Sequence, residues 1–175
     1  MPNFKEWEQK KTAPFSKEDK KEVVVAVSGG FDPLHIGHVR LFNEAKKLGD
    51  KLVVILNNDN WLISKKGFVF MEEQDRKEIL ESLSAVDEVI ISAHTVNDPD
   101  RSVCRELQKL RPHLFANGGD RTQKDAQKKT SPLNPDVALC EELGIQTVWS
   151  VGKGGKMRSS SELVARFKKG EKGLY

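Results

Sequence analysis

Two histidines three residues apart are the side chains of this chain best placed to do chemistry. His35 and His38 flank Gly37 within residues 28–38, and positions three apart on a first helical turn project from the same side. Two imidazoles aimed at one place can donate hydrogen bonds to oxygens whose negative charge grows during a reaction. The alternative is a pair of surface histidines beside a glycine turn. The Gly-Gly-Phe-Asp sequence at residues 29–32 favours the functional interpretation, because glycines let the backbone and a ligand approach closely.

The segments on either side of the histidines predict where they lie in a fold. Residues 23–27 form a continuous apolar run, which is typical of a buried parallel strand. A helix pattern follows and ends at Gly49, and its apolar face carries Leu41, Phe42, Ala45 and Leu48. The histidines therefore come where a first strand turns into a helix. Open α/β sheets bind ligands at that edge, and the unpaired N–H groups and dipole of a helix N-terminus favour phosphate there.

The rest of the chain alternates between strand and helix signals. Further strands are expected at residues 51–56, 88–92, 113–117 and 145–151. Helices are expected at about 72–84 with Ile79, Leu80 and Leu83 inward, from Asp98-Pro99 onward, and from Asn134 to Gly144. This alternation predicts an α/β fold, a Rossmann-like doubly wound sheet of five parallel strands with flanking helices.

One later loop carries a glycine pair and a carboxylate directly after the fourth predicted strand. Gly118 and Gly119 again allow close approach of the backbone. The carboxylate of Asp120 suits a ribose hydroxyl, a base edge or a Mg²⁺-linked water. A plain turn has the same composition, and its position at a strand end is what favours a ligand.

Another loop, at residues 152–163, follows the fifth predicted strand. Ser159 and Glu162 have the spacing of a capping box, so a helix is expected to begin at Ser159 or Ser160. Hydroxyl and backbone N–H groups at a helix start, next to Arg158 and neighbouring lysines, form a receptor for a triphosphate. The alternative is that the serines only cap the helix.

Residues 30–38, Gly-Phe-Asp-Pro-Leu-His-Ile-Gly-His, resemble the signature of the cytidylyltransferase-like nucleotidyltransferases, which share an H-x-G-H element with class I aminoacyl-tRNA synthetases. The resemblance extends from about Val23 to Arg166. It implies transfer of a nucleotidyl group from a nucleoside triphosphate to a phosphate or carboxylate, with release of pyrophosphate. The nucleotide-binding residues that it implies are Gly29, Gly30, Phe31, Asp32, Gly37, Gly119, Asp120, Arg158, Ser159 and Ser160.

The loop that contains Gly118, Gly119 and Asp120 indicates which donor and acceptor such a reaction would use. Gly118-Gly119-Asp120 is most similar to the sugar-phosphate adenylyltransferases, whereas Gly-Asp-Asp-Trp is typical of enzymes acting on glycerol phosphate. Gly119 and Arg121 stand at the differing positions. We therefore expect either CTP or ATP as donor and a small sugar-phosphate or alcohol-phosphate as acceptor.

Two lysines between the second strand and the next helix, and one arginine on that helix, complete the implied site. In the resembled family a lysine of this segment and an arginine of this helix handle phosphates. That implies Lys65 or Lys66, together with Arg76, on the acceptor phosphate, and Lys66 and Arg76 as catalytic residues beside His35 and His38. The alternatives are a solvated lysine pair and, for Arg76, an ion pair on the helix surface.

The simplest reaction needs no covalent enzyme intermediate. No Ser or Cys triad is visible, and a phosphate monoester is already an anionic nucleophile. We expect direct in-line attack on the α-phosphorus of a Mg²⁺-bound nucleoside triphosphate, with catalysis by positioning and charge neutralisation. A catalytically silent nucleotide-binding regulator of the same fold and an RNA-acting relative of the synthetases are the other candidates.

Composition and charge bound the possible partners. The chain has 175 residues, of which 37% are hydrophobic and 31% charged, as in one soluble domain. We divide it into a polar N-terminal extension (1–22), a nucleotidyltransferase domain (23–168) and a tail (169–175). The first 22 residues contribute +1 and residues 166–175 contribute +3 to a net charge of +3, so residues 23–165 carry −1. No nucleic-acid partner is expected.

The remaining expectations concern surroundings and assembly. No apolar run spans a membrane and no apolar signal core begins the chain, so we expect a cytoplasmic protein without a membrane partner. Cys104 and Cys140 have no C-x-x-C spacing and are interpreted as core thiols, with no dedicated metal site. Most enzymes that the chain resembles pair as dimers, and two-fold dimers are the commonest oligomer, so we expect a homodimer.

Overall fold

Five parallel strands form one sheet in the computed structural model, which describes residues 21–119, 134–152 and 159–168. The strands are β1 (Val24–Gly29), β2 (Lys51–Leu56), β3 (Glu88–Ile91), β4 (Leu114–Gly118) and β5 (Gln146–Val151). The helices are α1 (Ile36–Lys46), α2 (Asp59–Lys66), α3 (Glu73–Glu81), α4 (Cys104–Leu110), α5 (Asn134–Leu143) and α6 (Ser160–Lys168). The strand order β3-β2-β1-β4-β5 confirms the prediction of a Rossmann-like doubly wound sheet.

Side chains of alternate residues in the strands pack into two cores, one on each face of the sheet. Val25 and Val27 of β1 belong to the core that holds Phe42 of α1 and Leu80 of α3. The intervening residue, Ala26, belongs to the second core. That core also contains Phe115 of β4, Leu107 of α4 and Cys140 of α5. Because both faces are covered, every central strand is buried on both sides, which is why these strands are nearly continuous apolar runs.

The parallel register brings the carboxyl ends of neighbouring strands to one edge. Gly29 at the end of β1 pairs with Leu56 at the end of β2, and Ala26 pairs with Phe115 of β4. The chain reverses its winding direction between β1 and β4, since helices α1 and α4 lie on opposite faces. This point is where open α/β sheets bind ligands.

Two helix predictions are corrected by the structure. Helix α3 ends at Glu81, and Ile79 is 38% exposed rather than inward, whereas Leu80 is buried. Asp98 does not begin a helix, because its carboxylate accepts hydrogen bonds from the backbone N–H groups of Thr95 and Asp100. This local turn competes with a helix, as short acidic side chains commonly do. Helix α4 therefore begins only at Cys104.

A short helix that was not predicted from the sequence follows β2. Asn58 caps helix α2 by accepting from the Trp61 N–H at 3.0 Å, and Gly67 ends it with a left-handed backbone at φ 80°. An Asn cap and a Gly stop were the available signals. Lys65 and Lys66 consequently lie in the last turn of this helix rather than in a loop.

The chain termini fall mostly outside the described residues. Only Lys21 and Glu22 of the proposed N-terminal extension, and none of the proposed tail at 169–175, are described. No helix among the described residues is long and apolar enough to cross a membrane.

Candidate functional site

The predicted histidine pair lies at the strand-to-helix turn, and each ring binds the backbone of that turn. His35 is the N-cap of α1 and its Nδ1 accepts from the Gly37 N–H at 3.1 Å. The Nδ1 of His38 accepts from the His35 N–H at 3.3 Å. The rings are stacked with centroids 3.7 Å apart and planes 22° apart. The structure therefore brings both imidazoles together at the carboxyl end of β1.

These backbone contacts fix the tautomer of each neutral ring. A ring nitrogen that accepts an N–H carries no proton, so the proton of a neutral imidazole must be on its Nε2. In both His35 and His38 the accepting atom is Nδ1. Each neutral ring therefore presents an N–H at Nε2. Two N–H donors on stacked rings suit a ligand with clustered oxygens, such as a polyphosphate.

His38 stays neutral over the whole physiological range. Burial, followed by the nearby His35 and Lys66, lowers the pKa of His38 to about 3. Its ring also packs edge-on against Phe31, with centroids 5.0 Å apart. A neutral imidazole donates a hydrogen bond without carrying a charge, so at neutral pH His38 acts as a dipolar donor and not as a general acid.

The glycines of the turn serve packing between protein groups. A Cβ on Gly37 would lie 2.9 Å from Cε1 of His35, and one on Gly29 would lie 2.8 Å from the ring of Phe31. A Cβ on Gly30 would lie 2.7 Å from Leu62. Each of these glycines gives room to a neighbouring side chain, and the expected close approach of a nucleotide to them stays a prediction.

Asp32 is a buried anchor of the site. Its side chain is fully buried, and its two carboxylate oxygens accept from the backbone N–H groups of Phe70 and Met71 at 2.9 and 2.8 Å. These bonds attach residues 67–72, which connect α2 to α3, to residues 30–35, which connect β1 to α1 and are called the histidine turn below. These bonds and the complete burial of the side chain indicate that Asp32 holds the site together, and its implied nucleotide contact stays a prediction.

Arg76 is likewise buried, which corrects its expected contact with the acceptor phosphate. Only 1% of the residue is exposed. Its Nη1 donates to the carbonyls of Gly30 and Asn57 at 2.6 and 2.7 Å, its Nε donates to Met71 O at 2.9 Å, and its Nη2 donates to Asp59 at 2.6 Å. The guanidinium therefore ties together the ends of β1 and β2 and the α2–α3 connection. Arg76 does form an ion pair, with Asp59, but its guanidinium is buried and not on the helix surface as the alternative supposed.

Lys66 is the basic residue that the structure places at the histidine turn. Its Nζ donates to the backbone carbonyl of Asp32 at 2.6 Å and lies 4.0 Å from the Asp32 carboxylate. Burial lowers the pKa of Lys66, the Asp32 carboxylate raises it and the Arg76 guanidinium lowers it further. Lys65 instead lies over the Trp61 ring, 4.4 Å from its centroid. Of the two lysines, Lys66 is therefore the one beside the histidines.

The helix start expected at Ser159 or Ser160 also lies next to this turn. Helix α6 begins at Ser160, and Ser159 Oγ accepts from the Glu162 N–H at 3.1 Å, as the capping-box spacing predicts. Ser160 Oγ donates to the Pro33 carbonyl at 2.9 Å, which joins α6 to the histidine turn across 127 positions of sequence. Gly119 is in a left-handed conformation at φ 73° after β4. Asp120 and Arg158 lie outside the described residues.

The described residues fit a divalent ion only as part of a bound triphosphate. They contain no group of three or more His, Cys, Asp or Glu side chains arranged to hold a metal. The acidic side chains nearest the turn, Asp32 and Asp59, already bind protein donors. Mg²⁺ prefers to keep waters and phosphate oxygens as ligands, so here the triphosphate would supply most of them.

The other two histidines of the chain, His94 and His113, make contacts within the fold. His94 is buried, with Nδ1 at 2.7 Å from Ser92 Oγ and Nε2 at 2.9 Å from the Ser102 carbonyl. His113 accepts the Val24 N–H at the start of β1. Neither belongs to the candidate site.

Comparisons with known proteins identify the family of this chain. A model of the cytidylyltransferase-like family matches residues 26–149. The bifunctional protein HldE of Hydrogenovibrio crunogenus is 37% identical over 142 residues, which are 80% of this chain and 25% of HldE. FAD synthase of Thermococcus sibiricus is 36% identical over 102 residues, 58% of this chain and 66% of that enzyme. Thus the chain spans a quarter of HldE and slightly less than two thirds of FAD synthase.

A solved structure shares the fold. The lipopolysaccharide core biosynthesis protein of Thermoplasma volcanium aligns with a TM-score of 0.54 and 25% identity, over 74% of this chain and 95% of that one. The sheet order and the paired histidines at the end of β1 define a Rossmann-like nucleotide-binding fold. Within that class, the chain belongs to the cytidylyltransferase-like family.

Proposed function

We propose that the protein transfers a nucleoside monophosphate from a nucleoside triphosphate to a small phosphorylated acceptor and releases pyrophosphate. The observation that carries this proposal is the stacked pair His35 and His38, both with Nδ1 bound to backbone and an N–H at Nε2. Fixed donors stabilise charge that develops in a transition state without reorganisation. Family membership supports the same reaction class.

The described residues supply positioning and charge for a direct displacement. The acceptor phosphate attacks the α-phosphorus, a new P–O bond forms, and the bond to pyrophosphate breaks in the same step. Mg²⁺ bound to the triphosphate would neutralise part of its charge and would be held mainly by phosphate oxygens and waters. The Nε2 groups of His35 and His38 donate to phosphate oxygens, and the Lys66 ammonium lies beside them. Ser160, at the start of helix α6, donates a hydrogen bond to the Pro33 carbonyl of the same turn.

In this scheme Asp32 and Arg76 do not contact the reactants and act through the segments that they hold in place. Their hydrogen bonds hold the α2–α3 connection, which follows Lys66, against the residues that precede His35. Positioning of this kind contributes strongly to catalysis when the reacting groups are held in one geometry. We therefore propose these two residues as positioning residues.

We propose ATP rather than CTP as the donor. Four of the similar proteins are FAD synthases, and FAD contains an adenylyl group. The acceptor is proposed only as a class, a sugar-phosphate or alcohol-phosphate. We further propose a homodimer in the cytoplasm, and the two free thiols Cys104 and Cys140 are in keeping with a reducing compartment.

Pyrophosphate release tests the proposal directly. The protein is mixed with ATP or CTP, Mg²⁺ and a panel of phosphorylated sugars, alcohols and nucleosides, and pyrophosphate is measured with and without each acceptor. Acceptor-dependent release with at least one pair is expected. Binding of ATP or CTP without release for any acceptor would support the silent regulator instead, and absence of nucleotide binding would contradict both functions.

A further inference from the structure

One buried amide of the sheet lacks the partner that such a group normally has. Among the residues that the structure describes, three buried side-chain polar atoms make no hydrogen bond: Asn57 Oδ1, Glu106 Oε2 and Asn117 Nδ2. Only Asn117 leaves a donor unpaired, and the residue is 3% exposed. Burying an unpaired N–H is costly, and an unsatisfied group in a native protein calls for a specific explanation such as a ligand.

Asn117 lies at the position of the sheet where ligands bind. It belongs to the carboxyl end of β4, and β4 neighbours β1 at the point where the winding direction reverses. Ala26 of β1 pairs with Phe115 of β4, and continuing this register by two residues brings Asn117 level with Ser28, one residue before Gly29. Residue 117 is therefore next to the strand that leads into the histidine turn.

A β-bulge at the same place gives an independent indication. Ala116 pairs with Val148, but Gly118 pairs with Val151, so Asn117 faces two residues of β5, Trp149 and Ser150. Ser150 has a left-handed backbone at φ 56°. Bulges of this kind often lie next to active sites, where they re-aim side chains, and a left-handed non-glycine residue stores strain that persists at functional positions.

We propose that Asn117 is a specificity-determining residue whose Nδ2 donates to the nucleoside part of the triphosphate. The inference rests on the proposed function, because it uses the same nucleotide. The residues on either side of Asn117 in β4, Ala116 and Gly118, carry no charge, and neither does Trp149 of β5. An uncharged amide recognises the neutral nitrogen and oxygen acceptors of a base edge or ribose. The phosphates are left to His35, His38 and Lys66.

The test compares nucleotide binding with pyrophosphate binding in Asn117 variants. Asn117→Ala removes the donor, and Asn117→Asp keeps the shape but replaces the donor with an acceptor. Asn43, which is exposed on α1, supplies the matched control Asn43→Ala. Dissociation constants for ATP, CTP and inorganic pyrophosphate are measured by calorimetry, and the melting temperature is recorded without ligand.

The expected result separates recognition from a structural role. Both Asn117 variants bind the preferred nucleotide about tenfold more weakly or worse, since one lost hydrogen bond is worth roughly that factor, whereas pyrophosphate binding stays within about twofold. The melting temperature without ligand shows that each variant is folded. Asn43→Ala matches the wild type in every measurement.

Two results would overturn the inference. They are nucleotide binding equal to wild type in Asn117→Ala, or an equal loss of binding for nucleotide and pyrophosphate. If the wild type binds pyrophosphate but neither ATP nor CTP, the inference and the proposed function fail together. If it binds nucleotide through Asn117 but releases no pyrophosphate with any acceptor, only the proposed function fails.

Discussion

The neutral state of His38 predicts a loss of stability when the pH falls below neutrality. Its pKa in the folded protein is about 3, against 6.5 for an ordinary imidazole. Between these values the unfolded chain binds a proton that the folded chain rejects. The free energy of unfolding therefore rises with pH over this window and declines as the pH falls from about 6.5 towards 3.

The size of the effect at a mild pH follows from the unfolded-state pKa. At pH 5.5 an imidazole with a pKa of 6.5 is mostly protonated in the unfolded chain, which lowers the free energy of that state by about 1.4 kcal/mol. At pH 7.5 the same contribution is below about 0.1 kcal/mol. The estimate holds for any folded-state pKa well below 5.5. His38 should thus remove about 1.4 kcal/mol of stability between pH 7.5 and 5.5.

A variant that cannot titrate isolates this contribution. Asn at position 38 places an amide oxygen near the position of Nδ1, so His38→Asn retains an acceptor for the His35 N–H. Urea unfolding of the wild type and of His38→Asn is followed by circular dichroism at pH 7.5 and 5.5. We expect the wild type to lose about 1.4 kcal/mol more than the variant over that interval.

The comparison is decisive because the other histidines and the carboxylates are present in both proteins. An equal pH dependence in wild type and His38→Asn would show that His38 titrates alike in folded and unfolded chains. That result would refute the argument that burial keeps the ring neutral. A larger loss in the variant than in the wild type would refute it as well.

Three further predictions concern the buried network, the turn and the thiols. Arg76→Met should lower the free energy of unfolding by about 3 kcal/mol or more, because it leaves buried carbonyls and a carboxylate unpaired. The control Arg166→Met, which removes an exposed ion pair on α6, should change the free energy of unfolding by less than about 1 kcal/mol. Urea unfolding measures both variants. Gly37→Ala should lower kcat about tenfold with little change in fold, because the added Cβ displaces the His35 ring; unchanged kcat would contradict the role of the turn. Burial raises the pKa of Cys140 to about 12, so Ellman's reagent at pH 8 should react with this thiol only after unfolding.

The fold was predictable from sequence because its signal is repeated along the chain. Each central strand is buried on both faces, so β1 and β2 appear as apolar runs that need no knowledge of their partners. Gly144 ends helix α5 with a left-handed backbone, as its type and place indicate. Errors arose where a local side-chain contact competes with a helix, as at Asp98.

The position of the site was equally predictable, but the roles of its charged residues were not. His35 and His38 form their site within one turn of helix, so their spacing alone places them together. The partners of Arg76 are distant in sequence, including the Gly30 carbonyl 46 residues away. No spacing rule predicts such contacts, and the same holds for the carboxylate of Asp32.

Turnover of the histidine variants tests the central claim most directly. Acceptor-dependent pyrophosphate release is measured for the wild type, His35→Asn and His38→Asn, each shown by circular dichroism to be folded. We predict that either substitution lowers kcat about a hundredfold or more, since loss of one fixed donor at a developing charge costs about 3 kcal/mol. Near-normal kcat in both folded variants would contradict the assignment of this histidine pair as the centre of the reaction.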